Sequence, residues 1–528
     1  MCFLTKINLI MIFFYVCAKI FLSINIGDII MLFNSSEFLF FLPVVVLIYY
    51  ILPSKVRYIW LLAASYYFYM CWNASYALLL LTSTVITYLS GLVLNWAGSA
   101  FQSKRKCAGI QKIIMVVCIL LNLGILFFYK YFDFVCANIV WIGNLFGIQF
   151  KTPQFDVLLP VGISFYTFQA IGYTVDVYRG DTKVEKNFFR YALFVSFFPQ
   201  LVAGPIERSG NLLKQLSQSV ELQFDNLRDG LLLMLWGFFQ KLVIADRIAV
   251  FVDTVYDGYI HYHGYYIVIA TVLFAVQIYC DFGGYTKIAQ GAAKMLGIDL
   301  IENFNAPYTS LTTAEFWRRW HISLSTWFRD YVYIPLGGNR KGKVRKYLNS
   351  MITFAVSGLW HGADWTYVIW GALNGAYQVI GAILRPIRER IVKVVGLKSN
   401  SLGYKAVQML ITFCCVDFAW IFFRAADLGS AVSIIRNMFA ENNLWIFFDG
   451  SLYQCGLDVR NLWLLVICIV VLFVADCYKH RNRNLLQVIT RQAYWCQAII
   501  VSFAICFILV FGMWGGGYDE ASFIYFQF

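Results

Sequence analysis

Apolar residues in this chain come in long runs rather than in alternation. Runs begin near Ile7, Phe38, Tyr58, Tyr76, Ile113, Leu158, Phe188, Leu231, Tyr265, Met351, Tyr367, Val407, Leu462 and Ala493. A helix needs about 20 apolar residues to cross a bilayer core. Some of these runs are shorter, or are broken by glycine and proline. With those allowed for, the pattern predicts about 11–14 membrane segments. Ten-residue alternating strands do not occur, and lipid accepts only helices or closed barrels. The expected fold is an all-α polytopic membrane protein with re-entrant or broken helices. The breaks fall at Leu159-Pro160-Val161-Gly162 and at Phe198-Pro199 through Gly204-Pro205. Irregular backbone at membrane depth must line a cavity or be buried in protein.

Three parts are expected. Residues 1–30 carry Lys6, an apolar run and no clear small-residue cleavage site, so they read as an extra, uncleaved membrane helix. Residues 31–514 form the transmembrane core, and residues 515–528 form an aromatic tail.

Composition removes the soluble alternatives. Of 528 residues, 60% are hydrophobic and only 13% charged, and mean hydropathy is +0.66. A soluble domain carries about 25% charged residues. The net charge of +13 is then first a matter of topology. Lys and Arg cluster at Lys104–Lys112, Arg340–Lys346, Arg385–Lys405 and Lys479–Arg491. The positive-inside rule reads these stretches as cytoplasmic. Parity then sends the last apolar run, from Ala493, outward and leaves the tail outside the cell. A nucleic-acid partner is not expected, since no soluble module carries the charge. Cysteines show no CxxC and no metal spacing with histidine, so neither a structural disulfide nor a metal is expected. GxSxG, Walker and HExxH motifs do not occur either.

Two of the five histidines stand out. His321 lies in Phe316-Trp-Arg-Arg-Trp-His321-Ile-Ser-Leu-Ser-Thr-Trp-Phe-Arg-Asp330, and His361 in Ser357-Gly-Leu-Trp-His361-Gly-Ala-Asp364. In the first stretch Trp317, His321, Leu324 and Phe328 share a helical stripe, and Arg318, Ser325 and Arg329 share another. Two readings stay open there. The helix anchors at the membrane interface, or its arginines meet phosphates while His321 faces a cavity. In the second stretch His361 ends an apolar run, and an ionisable group at membrane depth marks a functional site by default. A neutral imidazole suits a general base near pH 7. Asp281, in Tyr279-Cys-Asp-Phe-Gly-Gly-Tyr285, is a buried carboxylate that either pairs with a cation or lines a tunnel. Trp317 and Trp360 are candidate tunnel-lining side chains.

Several stretches together resemble the membrane-bound O-acyltransferase family. They are Leu159–Gln169, Asp176–Gly180, Phe198–Ile206, Glu302–Tyr308, Phe316–Gly338 and Trp360-His361-Gly362-Ala363. The resemblance runs from about Met31 to Phe528 and is nearest to the bacterial branch that O-acetylates alginate and other exopolysaccharides. It implies a helical bundle around a central tunnel. It also implies His361 as the essential histidine and His321 as its support. The donor it implies is acetyl-CoA, with an acyl carrier protein thioester as the variant. Two positions depart from the family pattern: Gly283 stands where a serine is usual, and Lys287 where an acidic residue is usual.

The expected activity is therefore transfer of an acetyl group from a cytoplasmic thioester to an acceptor outside the cell, for O-acetylation of a cell-surface polysaccharide. The acceptor is either the polysaccharide or a partner acyltransferase of the SGNH type. D-alanyl transfer to teichoic acid is the nearest alternative, and a transporter or lipid flippase is the alternative from another class. Arg318 and Arg329 are expected to hold donor phosphates. The tail resembles aromatic C-terminal motifs of the family and of small partners of its teichoic-acid branch, a resemblance that implies a tyrosine carrying the acyl group. Tyr525 is accordingly either an acyl relay or an aromatic anchor.

Overall fold

The computed structural model describes residues 31–100, 104–150, 152–153, 155, 159–396, 398–481, 483, 485–514 and 523–524. The extension 1–30, Tyr525 and most of the tail lie outside the described residues. Along the described chain run α1 (Ser36–Ile51), α2 (Arg57–Met70), α3 (Ala74–Ala100), α4 (Lys104–Leu126) and α5 (Phe132–Leu145). Next come α6 (Ile163–Arg179), α7 (Phe188–Ser196), α8 (Phe198–Leu201), α9 (Ser209–Leu216), α10 (Phe224–Phe238), α11 (Asp246–Asp257) and α12 (Tyr265–Met295). The rest are α13 (Thr313–Arg319), α14 (Ile322–Phe328), α15 (Gly342–His361), α16 (Trp365–Val394), α17 (Leu402–Arg424), α18 (Leu428–Met438), α19 (Val459–His480), α20 (Leu485–Thr490) and α21 (Tyr494–Phe511). Strands are absent among the described residues.

Among the described residues, seven helical stretches are long and apolar enough to cross a membrane: α3, the continuous run Lys106–Leu145, α12, α16, α17, α19 and α21. Among the described residues, α1 is a shorter apolar helix, and the run from Met351 forms the end of α15; the run from Ile7 lies outside the described residues. The Pro-Gly breaks are what build the interior. Gly162 takes a left-handed conformation (φ 77°) just before α6, and α7, α8 and α9 are separate short pieces around Pro199 and Pro205.

The axis of the bundle is α12, buried along nearly its whole length. It packs on α10 through four glycines. A Cβ on Gly230 would meet the carbonyl of Gly291, and one on Gly237 would meet that of Gly284; the reverse contacts hold too. Lipid offers no hydrophobic drive for helix pairing, so close backbone approach between small residues is what joins helices there. Gly283 differs from its neighbour Gly284. A Cβ there would meet nothing nearer than 3.6 Å, so the usual serine would fit.

α15 and α16 form a hairpin built by the same device. A Cβ on Gly358 would strike the Tyr367 carbonyl, and one on Gly371 the Phe354 carbonyl. Asp364 caps α16, its carboxylate accepting from the Thr366 amide at 2.8 Å. The turn between the two helices is therefore tight, and it fixes where α15 stops: at His361.

Candidate active site

A helix leaves its last carbonyls without internal partners. At the end of α15 these groups meet a second element. Between α4 and α5 the chain makes a π-helical turn at Phe127–Tyr131. That turn aims Lys130 and Tyr131 at the helix end. Lys130 Nζ donates to the Trp360 carbonyl (2.8 Å) and the His361 carbonyl (3.0 Å), and Tyr131 Oη donates to the Leu359 carbonyl (3.0 Å). A cation at a helix C-terminus also opposes the negative end of the helix dipole. The last three carbonyls of α15, with that of His361 among them, are thus each held by a side-chain bond.

The His361 ring is 3% exposed and packed among aromatics. Its centroid lies 4.9 Å from Trp360, 5.0 Å from Trp370 and 5.5 Å from Phe423. Gly362 follows because the Tyr367 ring occupies the place a Cβ would take. A small cavity reaches His361. Its wall includes Lys130, Ser164, Phe165, Val202, Trp360 and the broken segment Leu159–Gly162. The Pro-Gly break expected to line a cavity does so. Lys130 Nζ is 3.5 Å from Ser164 Oγ on that wall.

His321 stands on the second break. The sequence pattern predicts one helix over Phe316–Asp330, but α13 ends at Arg319 and α14 starts at Ile322, with His321 between them at φ 42°. A non-glycine residue held left-handed costs about 1–2 kcal/mol, so the surroundings must enforce it. Asn303 does this. Its carbonyl accepts from the Ile322 amide (3.0 Å) and its side chain accepts from the Ser323 amide (3.3 Å). The break turns the fully buried His321 ring toward Phe282 (4.7 Å) and His361 (6.2 Å between centroids). Two histidines 40 positions apart in sequence therefore share one aromatic chamber.

The same break corrects the expected arginine face. Arg318 stays exposed on α13, its Nε turned back to the Ala314 carbonyl (3.2 Å). Arg329 lies past α14 and is paired with Asp330 at 2.7 Å. The two do not share a helix face, because the helix that would have joined them ends at Arg319. Trp317 is buried, its Nε1 donating to Asn374 Oδ1 (3.2 Å), while Trp360 lines the cavity.

Asp281 belongs to a different cluster. Lys241 Nζ lies 2.6 Å from Asp281 Oδ1 and 2.8 Å from Asp246 Oδ1, with all three side chains at most 3% exposed. The π-helical stretch Phe239–Ala245 carries the lysine there. Asp281 Oδ2 accepts from the amide of Ile524 (2.9 Å), and the Lys241 ammonium sits 3.9 Å over the Phe523 ring. Two described residues of the tail, Phe523 and Ile524, are thus buried on α12. Lys287, the other departure from the family pattern, pairs with Glu302 (3.5 Å), which also receives Lys479 (2.9 Å).

Lys130, Tyr131, Asn303 and Lys241 are not candidates on sequence grounds above. Lys130 had a signal: a lone lysine in the apolar aromatic run Phe127-Phe-Tyr-Lys-Tyr-Phe132. Asn303 had none beyond its place in the Glu302–Tyr308 stretch. Among the described residues, no group of three or more His, Cys, Asp or Glu side chains is arranged to hold a metal ion.

Comparison with known proteins agrees with this architecture. Residues 184–394 match the model of the MBOAT, membrane-bound O-acyltransferase, family. A Pseudomonas putida protein named "probable alginate O-acetylase AlgI" is 35% identical over 85% of this chain and 89% of its own length. The peptidoglycan O-acetyltransferase of Helicobacter pylori is 31% identical over 94% of this chain and 98% of its own. The teichoic acid D-alanyltransferase of Bacillus subtilis is 30% identical, but over only 42% of this chain and 58% of its own. With the family model matched and relatives of 31–35% identity aligned over most of both chains, the chain belongs to the membrane-bound O-acyltransferase family and is a multi-pass membrane acyltransferase.

Proposed function

We propose that this enzyme moves an acetyl group from acetyl-CoA on the cytoplasmic side to a hydroxyl outside the membrane, on a cell-surface polysaccharide or on a partner acyltransferase of the SGNH type that completes the transfer. The observation that carries the reading is His361 at the braced end of α15, facing the cavity beside His321. Relatives aligned over most of the chain are named for O-acetylation of alginate and peptidoglycan, whereas the D-alanyl relatives cover half of it or less. Acetyl is therefore favoured over D-alanyl.

The chemistry runs as follows. His361 takes the proton of the acceptor hydroxyl as its oxygen attacks the thioester carbonyl carbon. A C–O bond forms, and the carbonyl π pair moves onto oxygen. Lys130 faces the same cavity, and its ammonium stabilises that oxyanion, the role a preorganised donor plays best in a water-poor site. The intermediate then collapses, the C–S bond breaks, and the thiolate takes the proton back from the imidazolium. His321 packs against the chamber from the opposite break and keeps the His361 ring in place. Tyr525 is proposed as an onward acyl carrier, because the residues just before it, Phe523 and Ile524, are anchored on α12. Phenoxide is a better leaving group than alkoxide, so an acylated phenol passes its acetyl group on readily.

Purified protein in lipid nanodiscs, given acetyl-CoA and an oligosaccharide or small hydroxyl acceptor, tests the reading. Release of CoA with formation of an acetyl ester is expected. No thioester turnover by wild-type protein, or full turnover by His361→Ala, overturns it. Tyr525→Phe keeps the ring and removes only the hydroxyl; if polysaccharide acetylation survives it, the tail is an anchor and not a relay.

A further inference from the structure

A second cavity lies away from the histidines. It holds about 260 Å³ and is lined by polar groups around the start of α2, among them Lys55, Arg57, Arg190, Tyr58 and Ser217. Three cations face one opening, and Glu185, 3.5 Å from Arg190, is the single ion-paired carboxylate beside them among the described residues. Arg57 is a fixed part of the wall. It donates through Nε to the Leu52 carbonyl (2.9 Å), bonds the carbonyls of Tyr50 and Val220, and lies over the Tyr49 ring. Arg190 lies over the Tyr58 ring, with its Nε buried and without a hydrogen-bond partner. Lys55 is exposed at the rim. The first amides of α2, a 14-residue helix, lie at the same place and add the positive end of its dipole.

Position ties this cavity to the active site. α2 starts beside it at Arg57 and runs to Tyr69, whose hydroxyl donates to the Val161 carbonyl (3.0 Å) on the wall of the His361 cavity. Twelve residues of α-helix span about 18 Å. The membrane side also fits. α2 and α3 are joined by the three residues 71–73, so the Arg57 end of α2 shares a side with the Ala100 end of α3 and the basic stretch Lys104-Arg105-Lys106. That side is cytoplasmic by the positive-inside rule.

We infer that this basic cavity binds the phosphates of the cytoplasmic thioester donor, so that the acyl-bearing arm extends along α2 toward His361. The inference rests on the proposed function and names residues for the part of it that Arg318 and Arg329 fail to supply as a single face. Arginine and lysine around a cleft without a balancing set of carboxylates suit a polyphosphate, and guanidinium groups bind it through paired donors.

The test compares two donors that differ only in their phosphates: acetyl-CoA and acetyl-pantetheine. Wild-type protein in zwitterionic nanodiscs should prefer acetyl-CoA by kcat/KM. In Lys55→Gln and in Arg190→Gln that preference should fall about tenfold each, the size expected for one hydrogen bond to a charged group. Lys55→Arg should retain it. Calorimetric titration with CoA should weaken in the same order. An unchanged preference, or equal losses for both donors, overturns the inference. So does CoA binding that the variants leave untouched while they weaken binding of phosphatidylglycerol in the discs, since the cavity would then hold a lipid headgroup. Turnover of acetyl-CoA by wild-type protein bears on the proposed function instead; if it is absent, CoA binding still decides the cavity.

Discussion

Two buried polar clusters sit in this bundle, and they are built on opposite plans. Around Lys241 every charge has an opposite close by: Asp246, Asp281 and the face of the Phe523 ring. Around His361 the neighbours are rings, a lysine bonded to two carbonyls and a second histidine. A buried charge is tolerable when paired and costly when its partner is removed. A buried imidazole needs no such pairing, because it is neutral at rest. The first cluster therefore holds helices together through charge, whereas the second presents imidazoles packed among rings beside a cavity. Both are delivered by π-helical turns, which rotate one lysine each out of the ordinary helical register.

The sharpest way to break this contrast is at His361. His361→Ala should lower acetyl transfer by about 10²–10⁴-fold, the usual worth of a general base. Thermal unfolding in detergent should hardly change, because no ion pair is lost. Loss of folded protein on that substitution would mean the two clusters do not differ in kind.

Lys241→Met should do the reverse. It strands two buried carboxylates and should cost about 3–5 kcal/mol of stability, read as a fall in yield and unfolding temperature. Protein that does fold should keep its turnover. Adding Asp281→Asn to that variant should recover part of the loss, since one stranded charge is removed.

Lys130→Met lies between these cases and sharpens the line. It should lower turnover about 10²-fold, as the loss of one oxyanion donor does, and Lys130→Arg should recover part of it. If only stability falls, Lys130 is a helix cap and belongs with the Lys241 cluster.

The smallest effect concerns Glu207, in the loop before α9 and outside the spanning helices. Burial pushes its carboxyl up to about 7, against hydrogen bonds from the Ile301 amide and Asn211. A carboxyl raised in the folded state favours folding while protonated. Its contribution is fully present below about pH 4.5 and is lost as pH rises through about 7. Wild-type unfolding temperature should therefore drift down by roughly a degree or two over that window relative to Glu207→Gln. Parallel profiles for the two proteins would show that Glu207 is not the group responsible.

The sequence made the membrane class legible and singled out both histidines that the fold brings together, and for different physical reasons. Long apolar runs follow from the bilayer's thickness, so they survive any detail of packing. His361 is legible because an ionisable group at the end of such a run is costly. The break at His321 was not, since Trp317, His321, Leu324 and Phe328 fit a helical stripe well. What defeats that stripe is Asn303, which is distant in sequence from most of the helix it interrupts and acts through backbone bonds. The Lys130 brace was hidden likewise, because a π-helical turn leaves no periodic signature in five residues. Asp281 could be read only as a carboxylate in need of a cation, and Lys241, 40 positions away, is that cation.

The brace at the end of α15 also has a consequence for how the protein is made. Lys130 leaves the ribosome 230 residues before Trp360, the first carbonyl it will serve. Until then a lysine stands in a largely apolar helix without the two carbonyls that receive its shortest bonds, and lipid penalises it by a few kcal/mol. Synthesis at about 5–20 residues per second makes that interval last tens of seconds. During it, the segment around Phe127–Tyr131 must wait near the interface or in the company of an insertion factor, entering its final depth only when the histidine-bearing hairpin arrives. The histidine chamber thus cannot assemble until α15 has been made, and truncation before α15 should leave a chain marked for membrane quality control.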